Sequence, residues 1–116
     1  IVARPVHARD LLPERAIAGD TCAVRELITS YYEPLNSGSG QLLDTVAAYV
    51  EFGGSLENTA RSLHVHPNTV RYGLRKIADL IGIDPTEARA GFVIRIALVY
   101  GQLSEAGQLS NLNKSP

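Results

Sequence analysis

Apolar residues along the chain recur at three- and four-residue spacing, the period of an amphipathic helix. No convincing two-residue alternation and no strand–helix–strand pattern interrupts it. A short helix fits about residues 8–18, split near Pro13 and closed by Gly19. Asp20 reads as the N-cap of a second, which carries Glu26 in its next turn, runs to about Tyr32 and is stopped by Pro34. After the linker-like run Asn36-Ser37-Gly38-Ser39-Gly40, residues Leu42, Leu43, Val46, Ala47 and Val50 fall on one stripe that Gly53-Gly54 ends. Ser55 caps the next helix, which reaches about Leu63. The turn His64-Val65-His66 follows, and Pro67 sits where a first helical residue belongs, since its missing N–H costs nothing there. That helix continues to Ile81 and ends at Gly82. Asp84-Pro85-Thr86-Glu87 has the form of another helix start, and the closing helix runs to about Leu103. The expected fold class is therefore all-α, a small helical domain of five to six helices.

The 116 residues suffice for one small domain or a piece of a larger chain, and opening at Ile1 rather than Met suggests the latter. The pattern divides as residues 1–35, a helical segment linking to an upstream domain; 36–41, a linker; 42–103, the domain proper; and 104–116, a polar tail expected to fray. With five Tyr, two Phe and no Trp, the core has to be aliphatic. A single cysteine excludes an internal disulfide framework. No apolar run approaches the roughly 20 residues that cross a bilayer, and no signal peptide opens the chain, so the default compartment is the cytoplasm.

A net charge of −1 points to no partner, but its distribution is uneven. Residues 1–54 hold four basic and seven acidic side chains, a net of −3, whereas residues 55–82 hold Arg61, Arg71, Arg75 and Lys76 against Glu57 and Asp79, a net of +2. The basic stretch is also where two helices are joined by about three residues. Leu56, Leu63, Val65, Val70, Leu74 and Ile77 are apolar where such a pair packs, and Ala60 is small where the helices cross. This is the helix-turn-helix pattern. Its second helix is two-faced: Val70, Leu74, Ile77 and Ile81 point inward, while Asn68, Arg71, Tyr72 and Arg75 line the other side. Those residue types reach base edges and phosphates. Thr69 and His66 lie at the helix N-terminus, where backbone N–H groups favour a phosphate. The alternative is a solvated basic face on an α-bundle.

From Leu42 to Leu103 the chain resembles the C-terminal helix-turn-helix domain of the PucR/CdaR class of bacterial transcriptional regulators. The resemblance is carried by LLDTVAAYVEFGGSLENTARSLHVHPNTVRYGLRKIADLIGID and the closing FVIRIALVYGQL. It extends weakly to ARDLLPERAIAGD, and the helix-turn-helix is similar in layout to that of the Fis nucleoid protein. The resemblance implies a DNA-binding output domain, attached to a sensory region and used as a dimer. Two positions depart from the family pattern. Pro67 stands where arginine is usual and Gly73 where arginine or lysine is usual, and both are expected to remove positive charge from the exposed side of the recognition helix.

The expectation is sequence-specific binding of double-stranded DNA by a recognition helix at about 67–81. Asn68, Thr69, Arg71, Tyr72 and Arg75 would face the groove, with His66 and Lys76 on phosphate. The alternative is an interaction or oligomerisation module whose helix-turn-helix has lost DNA contact. Homodimerisation would use the closing helix, apolar nearly all round from Phe92 to Tyr100, or an upstream domain. No cofactor is expected and no catalytic motif stands out. His64 and His66 lack a third metal ligand nearby, so no metal site is expected either. Cys22 reads as a small core residue beside Val24 and Leu27, and His7 as a surface histidine.

Overall fold

The computed structural model describes residues 11–38 and 40–107. Every regular element among them is helical: α1 Leu12–Ile17, α2 Thr21–Leu27, a π-helical segment Ile28–Tyr32, α3 Glu33–Asn36, α4 Gln41–Glu51, α5 Leu56–Leu63, α6 Pro67–Ile81 and α7 Ala88–Glu105. Because α2, the π segment and α3 run on without a break, the described residues form six rods. Two layers meet: α7 packs with α1, α2 and the π segment, and α5 and α6 pack on α4. They join where α7 touches α4 and where α3 packs on α4 and α6. Leu12, Leu27, Tyr32, Val46, Ile77 and Ile94 belong to one buried cluster that joins both layers.

Asp20 caps α2 as its position predicts: one carboxylate oxygen accepts the N–H groups of Cys22 and Ala23 at 2.9 and 3.2 Å. The other takes two donors from Arg15, at 3.0 and 2.8 Å. The guanidinium hydrogen bond, followed by the cap N–H groups, holds this carboxyl below the usual range. Pro13 lies in the first turn of α1, where its missing N–H costs nothing. Residues 8–10, the earlier part of the expected first helix, and His7 lie outside the described residues.

Pro34 does not stop the second helix. The N–H of Glu33 reaches back five residues to the Ile28 carbonyl, and this wider turn carries the chain past a residue that can give no N–H of its own. Cys22 is exposed, not core. The buried stripe of α2 is Ala23, Val24 and Leu27, and Cys22 falls off its edge in the first turn.

The expected helix start at Asp84 is a turn instead. The Asp84 carboxylate accepts the backbone N–H and the hydroxyl of Thr86 at 2.9 and 2.7 Å, a local closure that competes with helix. These bonds hold its carboxyl below the usual range. Glu87 is extended, and α7 begins at Ala88. At its far end α7 runs on through Ser104 to Glu105, past the expected stop. There the Glu105 carboxylate accepts from Asn36 at 2.6 Å and faces the buried Tyr32 hydroxyl. Burial, with this carboxylate second, pushes the phenol up to about 12. The Tyr32 ring lies flat against Gly101, where any Cβ would collide with it. Tyr100 donates to the Ala16 carbonyl at 3.1 Å and Arg89 pairs with Glu14, so α1 is tied to α7.

Candidate nucleic-acid interface

Helix α5 closes with a Schellman motif: Val65 N–H bonds to the Ala60 carbonyl at 3.0 Å and His64 N–H to that of Arg61 at 3.2 Å. The motif needs a left-handed residue, and His64 fills it at φ 59°, alone in this region among the described residues other than glycine. The chain then extends through His66, whose Nδ1 accepts the Asn68 N–H at 3.0 Å and so caps α6. An imidazole nitrogen that accepts carries no proton, which leaves Nε2 as the ring's donor. Pro67 occupies the first helical position, as its chemistry suggests.

Below the turn the two helices close on one another. Ala60 is 2% exposed, which lets them approach, and Thr59 beside it is fully buried with its hydroxyl on the Ser55 carbonyl. On α6 the inward stripe is Val70, Leu74, Ile77 and Ile81, all buried. Leu56 and Leu63 are half-buried. Val65, expected between the helices, is instead exposed, because the left-handed step at His64 turns the chain away before it.

Gly73 belongs to the buried stripe too, contrary to its expected exposed placement. Spacing explains it, since positions 70, 73, 74, 77 and 81 form one helical face. A Cβ there would lie 3.4 Å from the Thr45 methyl on α4. A groove of about 290 Å³ runs along this line between α4 and α6, floored by Leu42, Val70 and Gly73. A long side chain at 73 would run along α4 rather than out from α6.

The structure brings all seven predicted site residues onto the exposed part of the turn and α6: His66, Asn68, Thr69, Arg71, Tyr72, Arg75 and Lys76. Besides the cap of His66 on Asn68, two pairs among them interact through their side chains. The Asn68 side-chain oxygen accepts from Arg71 Nη1 at 2.5 Å, and Lys76 Nζ lies 5.1 Å from the centre of the Tyr72 ring. A further exposed cation, Arg61 on α5, was not among the candidates. It repeats the first pair, since Arg61 Nη1 donates to Asn58 at 3.0 Å. The signal is in the sequence as the tetrads NTAR, residues 58–61, and NTVR, residues 68–71, ten positions apart.

Among the described residues no three His, Cys, Asp or Glu side chains gather as metal ligands, and no helix is long and apolar enough to cross a membrane. The outer side of α7 keeps Phe92, Val99 and Leu103 exposed, and Phe52 at the end of α4 is exposed too.

The PucR C-terminal helix-turn-helix domain family matches residues 42–99. Uncharacterised proteins of Mycobacterium tuberculosis and Mycobacterium bovis are each 50% identical over 101 residues, 87% of the chain. The chain spans 24% of the length of these relatives. A crystal structure of a regulator of polyketide synthase expression from Bifidobacterium adolescentis superposes with a TM-score of 0.82 at 41% identity, covering 90% of this chain and 42% of that one.

Proposed function

Since the chain belongs to the PucR C-terminal helix-turn-helix family, a family of regulatory helix-turn-helix domains, we propose that it binds double-stranded DNA sequence-specifically as the output domain of a bacterial transcriptional regulator acting in the cytoplasm. The observation that carries this reading is the division of α6. One face is sealed by Val70, Gly73, Leu74 and Ile77, while Asn68, Thr69, Arg71, Tyr72 and Arg75 stand free of the core on the other. A helix so held is narrow enough for a major groove, and its N-terminal residues are those that meet base edges. His66 and Lys76 then serve phosphate: the first through Nε2–H at the helix N-terminus, the second from beside the Tyr72 ring.

A single helix-turn-helix touches few base pairs, and two copies on half-sites about 34 Å apart are the usual remedy. The exposed apolar stripe of α7 favours a homodimer, with Phe92, Val99 and Leu103 as its contact. The same stripe is what an interaction module without DNA contact would use. Fluorescence anisotropy of a labelled duplex, titrated with the protein from 50 to about 200 mM salt, separates the two. The DNA reading expects affinity to fall linearly on logarithmic axes with a slope of several units. An absence of binding at low salt would leave the interaction module.

A further inference from the structure

We propose that Asn68 is a positioning residue and Arg71 the guanine reader of this surface, an inference that rests on the DNA reading above. An asparagine that reads adenine does so with both ends of its amide, the oxygen accepting from N6 and the nitrogen donating to N7. Here the oxygen is taken by Arg71 at 2.5 Å. The amide oxygen thus orients a guanidinium with one of its two lone pairs. The guanidinium in turn presents its remaining N–H groups in the planar fork that matches guanine O6 and N7.

Asn68 is itself fixed at its backbone. Its N–H is held by His66 Nδ1 at 3.0 Å, in the first turn of α6. The order of support is therefore His66 to the Asn68 main chain, and the Asn68 side chain to Arg71. All three lie within the first two turns of the helix, the part that enters a groove first. The gain is one of preorganisation. Freezing a long side chain on binding costs about 0.5–1.5 kcal/mol, a factor of about 2–12 in affinity, and an arginine already held in place avoids part of it. Both tetrads make this asparagine–arginine clamp, so the pairing is a property of N-T-x-R on a helix and needs no DNA to form.

Two measurements test the proposal with the whole chain. The first uses no DNA: nitrogen-resolved NMR of the Arg71 guanidinium. Wild type and Asn68→Asp, which keeps the acceptor and suits a helix N-terminus, should show restricted rotation. Asn68→Ala should show free averaging with an unchanged melting temperature. Equal mobility in wild type and Asn68→Ala overturns the positioning role.

The second is selection from a randomised duplex pool. Wild type should prefer guanine at one position of each half-site, and Arg71→Ala should lose that preference, worth about 5- to 150-fold. Asn68→Ala should weaken it by about 2- to 12-fold. Asn68→Asp should bind more weakly overall and keep the guanine preference. Loss of an adenine preference in Asn68→Ala, with guanine untouched, would make Asn68 the reader and overturn the proposal. A wild-type chain that enriches no sequence overturns the DNA reading and the guanine assignment with it. The NMR result then still decides whether Asn68 holds Arg71.

Discussion

The layer formed by α1 to α3 against α7 and the helix-turn-helix of α5 and α6 are built from different bonds. In the first, side chains reach across the sequence. Tyr32 lies on Gly101, Glu105 meets Asn36 and Tyr32, Arg89 meets Glu14, and Tyr100 meets the Ala16 carbonyl. In the second, the side-chain hydrogen bonds are local, two to four residues apart, and aliphatic packing does the holding. The N-terminal layer thus uses its polar groups on itself. The helix-turn-helix keeps its polar groups on the outside, where a partner can take them. A region that presents cations to a polyanion cannot also neutralise them with its own carboxylates, and aliphatic packing is what remains to stabilise it.

The sharpest way to break this contrast is Leu74→Ala, which should destabilise the fold by about 2–5 kcal/mol because the residue is buried in the aliphatic seam. A melting temperature equal to wild type would show that the seam does not carry the helix pair. In the other region Gly101→Ala should cost about 1–3 kcal/mol, since the new methyl must displace the Tyr32 ring. Urea unfolding at neutral pH measures both, and a silent Gly101→Ala would mean the aromatic contact is dispensable.

The largest pH effect belongs to the N-terminal layer. The Tyr32 phenol is raised to about 12, so the folded state binds this proton more tightly than the unfolded chain. Its contribution is intact below about pH 10 and is lost as pH rises toward 12, by at most about 3 kcal/mol. Tyr32→Phe should flatten that alkaline decline. An identical decline in the variant would place its cause elsewhere. The smallest effect returns to α6: Gly73→Ala should stabilise by about 0.5–1 kcal/mol, because glycine is a poor helix former and the methyl has ordinary contact space against Thr45. A loss of stability would mean that α4 and α6 have no room between them.

The helix-turn-helix was legible because its signals are local and redundant. Ser55, Pro67 and Gly82 mark its ends, and Val70, Leu74, Ile77 and Ile81 keep one period. The candidate site residues were legible as exposed positions for the same reason, being what that stripe leaves over. Gly73 was misplaced because glycine has no hydropathic signature, so the stripe read one residue too narrow. Arginine at this position would press along α4 instead of reaching outward. For that reason Pro67→Arg, not Gly73→Arg, is the substitution expected to add a DNA-facing charge. Pro34 and the Asp84 turn were misread because their outcome depends on backbone geometry a few residues away, a π turn in one case and a carboxylate closing on Thr86 in the other. The fit of Tyr32 on Gly101 joins residues 69 positions apart, and no periodicity records it. The pairing of Asn68 with Arg71 was also missed, since both residues were assigned to the same groove without regard to each other.

Whether the exposed face of α6 meets DNA phosphate and bases with its cations is decided by the salt dependence of duplex binding for the double variant Arg71→Ala, Arg75→Ala beside wild type, with thermal melts of both. The double variant should keep its fold, bind more weakly, and show a slope of log affinity against log salt shallower by about two units, one for each lost contact. Equal affinity and an equal slope in the two proteins would remove this helix from the interface.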